Sequence, residues 1–149
     1  MATSSPCDAE IDWNGQKRRP LEILVIEDNP ADVHLIREGL KISCPDLGLN
    51  VRIAEDGEKA LAMLLGSHFR PDMILLDLGL PKVDGQTVLQ RVRSERKDLA
   101  STPVVVFSSS EHGIQDVLDA GANAYIVKPT GLTEYFNAIE RFAILWLKR

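Results

Sequence analysis

The sequence is poor in cysteine and in long apolar runs. Its 149 residues include two cysteines, Cys7 and Cys44, which are too few and too far apart for a disulfide framework. Apolar runs such as Met73–Leu76 are far shorter than the roughly 20 residues that a membrane helix needs. The N-terminal segment also lacks the apolar stretch of a secretory signal. We therefore expect a cytoplasmic protein with no membrane partner.

Positive charge is also in short supply. Lysine and arginine total 17 against 22 aspartates and glutamates, which gives a net charge of −5. Binding to nucleic acid through a basic surface is therefore not expected, because phosphate neutralisation needs clustered positive charge. The hydrophobic fraction of 44% and charged fraction of 26% are those of a globular chain, not a disordered or fibrous one. The length suits one domain with a real core.

The first 19 residues differ from the rest of the chain. They are polar, show no periodicity and end in Lys17-Arg18-Arg19. We predict that residues 1–19 form a flexible N-terminal arm and that residues 20–149 form the folded domain. A short partner-binding arm with Trp13 as its anchor is the alternative.

Beyond the arm, short apolar runs alternate with segments of helical periodicity. Near-continuous apolar runs are typical of parallel strands that are covered on both faces. Five such units in succession predict an α/β fold with a doubly wound, five-stranded parallel sheet. The predicted strands are Leu21–Ile26, Val51–Ala54, Met73–Leu76, Val104–Phe107 and Ala124–Val127, and the predicted helices are Ala31–Ile42, Glu58–Leu65, Thr87–Val92, Ile114–Ala120 and Leu132–Leu147.

Polar residues follow each of the five predicted strands, and the pair after the second strand, Glu55-Asp56, is the more peripheral one. Glu27 and Asp28 follow the first, Asp77 the third, Ser108 the fourth and Lys128 the fifth. The carboxyl ends of parallel strands meet at one edge, where ligands of open α/β sheets bind. Clustered carboxylates repel one another unless a cation such as Mg²⁺ intervenes.

This edge has the groups that phosphoryl transfer needs. Lys128 and Ser108 could contact phosphoryl oxygens, which leaves Asp77 as a possible nucleophile. Each residue alone could equally be structural, as a helix cap or an ion pair. Their coincidence at four strand ends favours a site.

The same residues carry a family resemblance. Glu27-Asp28, the run Asp77-Leu78-Gly79-Leu80-Pro81-Lys82-Val83-Asp84-Gly85, Ser108 and Val127-Lys128-Pro129 resemble the receiver domain of two-component response regulators, the CheY-like type. The likeness spans Leu21 to about Trp146. The segments Glu27–Asp32 and Pro103–Ser110 further resemble stand-alone bacterial regulators that are paired with phytochromes.

The resemblance implies a (βα)5 flavodoxin-like sandwich with helices on both faces of the sheet. It also implies that a histidine kinase, here expected to be of the phytochrome type, phosphorylates Asp77. The implied Mg²⁺ ligands are Asp28 directly, Glu27 through water, Asp77, and the backbone carbonyl of Gly79. Lys128 and Ser108 would neutralise the phosphoryl charge, so that the protein catalyses its own phosphorylation and dephosphorylation.

The resemblance further implies a conformational output. Ser108 and Tyr125 would act as the switch, and Lys128-Pro129 would be a cis peptide. Gly79 and Ser110 stand where larger polar side chains often tune hydrolysis, from which we expect a phosphoryl lifetime of intermediate length. The alternative for Tyr125 is a purely structural role as a half-buried aromatic residue on a strand.

The last predicted helix has more apolar residues than one core face requires. Leu132, Phe136, Ile139, Ala143 and Trp146 form one stripe, and Tyr135, Phe142 and Leu145 form a second, offset stripe. Such a surplus indicates a partner surface, and we expect a homodimer through helix 4, strand 5 and helix 5. A wide core contact is the alternative.

Other function classes fit less well. A phosphatase with an aspartyl nucleophile would need a second aspartate where Gly79 stands, and the phosphate-loop motif of nucleotide triphosphatases is absent. Glu27-Asp28 would repel the phosphate of a flavin carrier. About three residues follow Trp146, so we expect no DNA-binding output domain. The output would be docking on a downstream protein or relay to a histidine phosphotransfer partner, and a degenerate receiver that works without phosphorylation is the second hypothesis.

Overall fold

The strands of the domain form one parallel sheet. The computed structural model describes residues 19–147. Its strands are β1 (Leu21–Ile26), β2 (Leu49–Ala54), β3 (Met73–Leu76), β4 (Val104–Ser108) and β5 (Ala124–Val127). All neighbours pair in parallel in the order β2-β1-β3-β4-β5. The predicted α/β doubly wound fold is confirmed.

Helices cover both faces of this sheet. They are α1 (Pro30–Ser43), α2 (Gly57–Leu65), α3 (Gly85–Glu95), α4 (Ile114–Asp119) and α5 (Leu132–Trp146), with a 3-10 turn over Lys97–Leu99 that the sequence pattern did not predict. Asn29, Asp56 and Asp84 cap the first three helices, because each side chain accepts a hydrogen bond from a backbone N–H of the first turn.

The sheet separates two apolar layers. Alternate residues of β1 point to opposite sides, so Leu24 and Ile26 pack with α2, α3 and α4, while Ile23 and Val25 pack with α1 and α5. All four are at most 1% exposed. This double burial explains why the strands are continuous apolar runs in the sequence.

The buried residues of helix α5 differ from the predicted division into a core face and a partner face. Tyr135 and Phe142, of the second stripe, are 5% and 0% exposed, and both contact the ring of Phe107 edge-on. Leu132, of the first stripe, is 59% exposed. The second stripe is therefore core at Tyr135 and Phe142, because α5 packs against both the sheet and α1 and needs a wide apolar face.

Two further expectations concern the N-terminal arm and membrane-spanning helices. The predicted arm and Trp13 lie outside the described residues, except for Arg19, whose guanidinium contacts the carboxylate of Asp72 at 2.6 and 2.8 Å. Across residues 19–147, no helix combines the length and the apolar character that crossing a membrane requires.

Candidate functional site

The predicted site residues meet at one edge of the sheet. Backbone hydrogen bonds continue the ladder past the strand ends: Glu27 N–H donates to Ala54, Asp77 N–H to Ile26, and Lys128 N–H to Ser108, at 2.8 to 3.0 Å. These bonds hold the backbone of each residue in register with its neighbour. The sheet therefore fixes the backbone positions from which these side chains project.

Three carboxylates lie together at this edge of the sheet. One oxygen from each of Glu27, Asp28 and Asp77 lies within 4.8 Å of the others. Glu27 is buried, Asp28 is exposed and Asp77 is half-buried, so the group opens to solvent on one side. Gly79 is exposed, and its N–H donates to Oδ1 of Asp77 at 3.3 Å. The carboxylate oxygens are the ligands that Mg²⁺ prefers.

The ammonium of Lys128 contacts two of these three carboxylates and that of Asp32. Its Nζ lies 2.5 Å from Glu27, 3.1 Å from Asp32 and 3.4 Å from Asp77. An ammonium has three hydrogens, and here each has a carboxylate acceptor. The side chain is only 9% exposed, so these contacts are sheltered from water.

The charges of the site are unequal. Burial, with the nearby charge of Asp77, raises the pKa of Glu27 to about 7, although Lys128 opposes the change. Burial alone would lower the pKa of Lys128, but Glu27, Asp77 and Asp32 outweigh it and raise that pKa. The site thus holds one ammonium, in contact with three carboxyl groups, and a fourth carboxyl at Asp28, and this excess of acidic groups suits a divalent cation.

The loop after β3 is shaped by close backbone contacts. A Cβ on Gly85 would lie 2.4 Å from the carbonyl oxygen of Asp77, so only glycine lets α3 begin this close to the site. Lys82 in the same loop has a φ of 70°, and its Nζ lies 3.7 Å from the Asp56 cap of α2. Asp84 therefore caps α3, and Gly85 beside it is required by the close packing against Asp77.

The two predicted switch residues both contact Ser110, in the loop after β4. Ser108 is buried at the end of β4, and its Oγ accepts the N–H of Ser110 at 3.4 Å. Tyr125 is half-buried on the edge strand β5, and its hydroxyl donates to the carbonyl of Ser110. The expected cis peptide before Pro129 is wrong, because the described residues contain no cis bond.

Two residues of the site were missed from the sequence. Asp32 lies in the first turn of α1, four positions after Asp28, and its closeness in sequence to the acidic pair could have placed it at the same edge. Tyr135 was assigned to an apolar stripe, yet its hydroxyl donates to Asp32 Oδ1 at 2.6 Å. Burial and the neighbouring carboxylates raise the pKa of this tyrosine, which stays protonated.

Comparison with known proteins agrees with this geometry. The family model for the response regulator receiver domain matches residues 23–140. Response regulator Rcp1 of Synechocystis sp. is 37% identical over 137 residues, which cover 87% of this chain and 90% of Rcp1.

Solved structures give the same result. The phosphorylated cyanobacterial phytochrome response regulator RcpA has a TM-score of 0.80 at 37% identity, over 87% of this chain and 95% of RcpA. The Mn²⁺-bound form of Rcp1 has a TM-score of 0.79 at 34% identity, over 87% and 96% of the two chains. Each is a response regulator of this size and fold. With its acidic edge, serine and lysine on a β2-β1-β3-β4-β5 sheet, the chain belongs to the receiver domain family of two-component response regulators.

Proposed function

We propose that this receiver accepts a phosphoryl group on Asp77 from the phosphohistidine of a histidine kinase, in a Mg²⁺-dependent reaction. The observation that carries the proposal is the position of Lys128 Nζ, 3.4 Å from Asp77 Oδ2 beside the three-carboxylate group. A carboxylate so placed is a nucleophile with a positive charge at hand for the incoming phosphoryl oxygens.

The transfer step needs little besides positioning and charge neutralisation. An Asp77 oxygen attacks phosphorus, the P–N bond to histidine breaks, and its electron pair returns to the imidazole. Lys128 and the hydroxyl of Ser108 stabilise the phosphoryl oxygens. The residues that would hold Mg²⁺ are Asp28, Asp77, the Gly79 carbonyl and, through water, Glu27, and a bound ion would supply further positive charge. The Mn²⁺-bound form of Rcp1 supports a divalent ion here.

The same site sets the lifetime of the product. Hydrolysis of the acyl phosphate needs a water in line with the P–O bond. Gly79 is exposed and has nothing within 4 Å of its would-be Cβ, so it neither orients nor blocks that water. Ser110 is small and uncharged. We therefore infer a lifetime of intermediate length, and a label retained unchanged for many hours would contradict it.

The output surface that we propose is the face of α4, β5 and α5. Ser108 and Tyr125 connect the site to this face, because Tyr125 lies on β5 and both side chains contact Ser110. A groove lined by Tyr125, Val127, Asn137 and Arg141 runs between β5 and α5. A second copy of the chain, a downstream protein or a histidine phosphotransfer protein would dock there.

The input follows from the relatives. RcpA is a phytochrome response regulator, so we propose a phytochrome-type histidine kinase as the phosphoryl donor. Direct transfer requires that kinase domain and receiver share a compartment, which in this proposal is the bacterial cytoplasm.

The test is the intact mass of the full chain after incubation with acetyl phosphate and Mg²⁺. We expect one added phosphoryl group in the wild type and none in Asp77→Asn. Asp46→Asn, in the exposed turn after α1, is the matched control and should be phosphorylated normally. Elution size, measured in parallel, tests the homodimer. No added mass in the wild type would favour the phosphorylation-independent receiver.

A further inference from the structure

A hydroxyl from α5 reaches the edge of the site without touching the proposed nucleophile or any proposed metal ligand. Tyr135 Oη donates to Asp32 Oδ1 at 2.6 Å, and the other oxygen of Asp32 accepts from Lys128 Nζ at 3.1 Å. The three side chains form a continuous hydrogen-bonded chain that begins on the last helix and ends beside Asp77.

The hydroxyl decides which way Asp32 points. An aspartate has two equivalent oxygens and a broad terminal torsion, so a single partner leaves its orientation loosely defined. With Tyr135 on one oxygen and Lys128 on the other, the carboxylate is held from both ends. The aromatic ring is itself fixed, since it is 5% exposed and packs edge-on against Phe107 at 5.2 Å.

Asp32 in turn helps to place the ammonium. Of the three acceptors around Lys128 Nζ, Glu27 lies at 2.5 Å and Asp77 at 3.4 Å, and Asp32 occupies the remaining direction. Loss of a defined Asp32 would allow Nζ to move away from Asp77 and towards whichever carboxylate remains. A shift of this kind slows transfer, because the rate depends on where the positive charge stands.

We propose that Tyr135 is a positioning residue, which acts through Asp32 to hold Lys128 beside Asp77. Its effect on phosphorylation rests on the proposed function. We expect Tyr135→Phe, which keeps the packed ring, to slow phosphorylation of Asp77 about three- to tenfold.

A double-mutant cycle separates this role from packing. If the hydroxyl acts through Asp32, Asp32→Ala and the double variant Asp32→Ala/Tyr135→Phe should be phosphorylated at equal rates by acetyl phosphate. A further loss in the double variant would overturn the proposal, as would a wild-type rate in Tyr135→Phe. Thr133→Val, which removes an exposed hydroxyl from the same helix, is the control and should leave the rate unchanged.

A second measurement does not depend on phosphorylation. In ¹⁵N-labelled full-length protein, the Lys128 ammonium should exchange its hydrogens slowly with water, and Tyr135→Phe should accelerate this exchange several-fold. An unchanged exchange rate would refute the positioning role. Failure of the wild type to gain a phosphoryl group would instead refute the proposed function, so the two failures are distinguishable.

Discussion

At the scale of single residues, Glu27 is a carboxyl group of the candidate site whose burial disfavours its charged form. It is 2% exposed and lies among other acidic groups, and its pKa is raised to about 7. A carboxyl whose folded pKa exceeds its unfolded value binds its proton more tightly in the folded state. The proton on Glu27 therefore stabilises the metal-free fold. This stabilisation is fully present below pH 4.5 and is lost as pH rises through about 7.

Replacement of this carboxyl with a neutral amide should stabilise the metal-free protein at high pH. We expect Glu27→Gln to raise the free energy of unfolding by about 1 kcal/mol at pH 8, and by much less at pH 5. The amide oxygen can still accept from Lys128. Urea unfolding with a chelator at the two pH values measures the difference.

A variant on the surface provides the comparison. Glu111→Gln removes an exposed carboxyl from the loop after β4 and should leave stability unchanged at both pH values. Equal destabilisation by Glu27→Gln at pH 5 and pH 8 would show that the buried charge carries no cost.

At the scale of elements, α1 and α5 approach each other closely at a glycine. A Cβ on Gly39 would lie 2.6 Å from Cδ1 and 3.0 Å from Cγ2 of Ile139, which is fully buried. Alanine favours a helix over glycine by about 1 kcal/mol, but a tightly packed core does not yield easily. Packing therefore outweighs helix propensity at this position.

We expect Gly39→Ala to lower the free energy of unfolding by about 1–3 kcal/mol. Ile139→Val removes the nearest atom and should recover part of this loss in the double variant, beyond the sum of the single changes. Thermal or urea unfolding of the three variants gives the coupling.

The control is a glycine with room for a methyl group. The added Cβ of Gly79→Ala meets nothing within 4 Å, so its stability should stay close to that of the wild type. A stabilised Gly39→Ala would mean that α1 and α5 can separate at little cost.

At the scale of the whole molecule, the net charge of −5 includes four carboxylates at one edge of the sheet, opposed locally by Lys128. The site therefore couples stability to cations. A ligand that binds only the folded state stabilises it by RT ln(1 + [L]/Kd).

We expect Mg²⁺ at ten times its Kd to raise the free energy of unfolding by about 1.4 kcal/mol. Asp28→Asn, which removes an exposed carboxylate oxygen of the proposed ligand set, should reduce this gain at the same Mg²⁺ concentration. Chemical denaturation with and without Mg²⁺, at ionic strength matched with NaCl, measures the effect. An equal gain from NaCl would indicate screening rather than a site.

Much of this molecule could be predicted from local patterns. Burial on both faces makes each strand a continuous apolar run, so the bounds of β1, β3 and β5 coincide with the runs in the sequence. Polar residues at the ends of such runs must meet at one edge in a parallel sheet. The sequence itself therefore determined the fold and the grouping of Glu27, Asp28, Asp77, Ser108 and Lys128.

The way in which distant elements meet depends on their packing and could not be predicted from local patterns. Tyr135 and Asp32 lie 103 positions apart, and only the packing of α5 beside α1 brings their oxygens to 2.6 Å. The same packing assigns Tyr135 and Phe142 to the core, which helical periodicity alone could not do. Periodicity describes one helix at a time, whereas the width of a buried face and the partner of a buried hydroxyl depend on its neighbours.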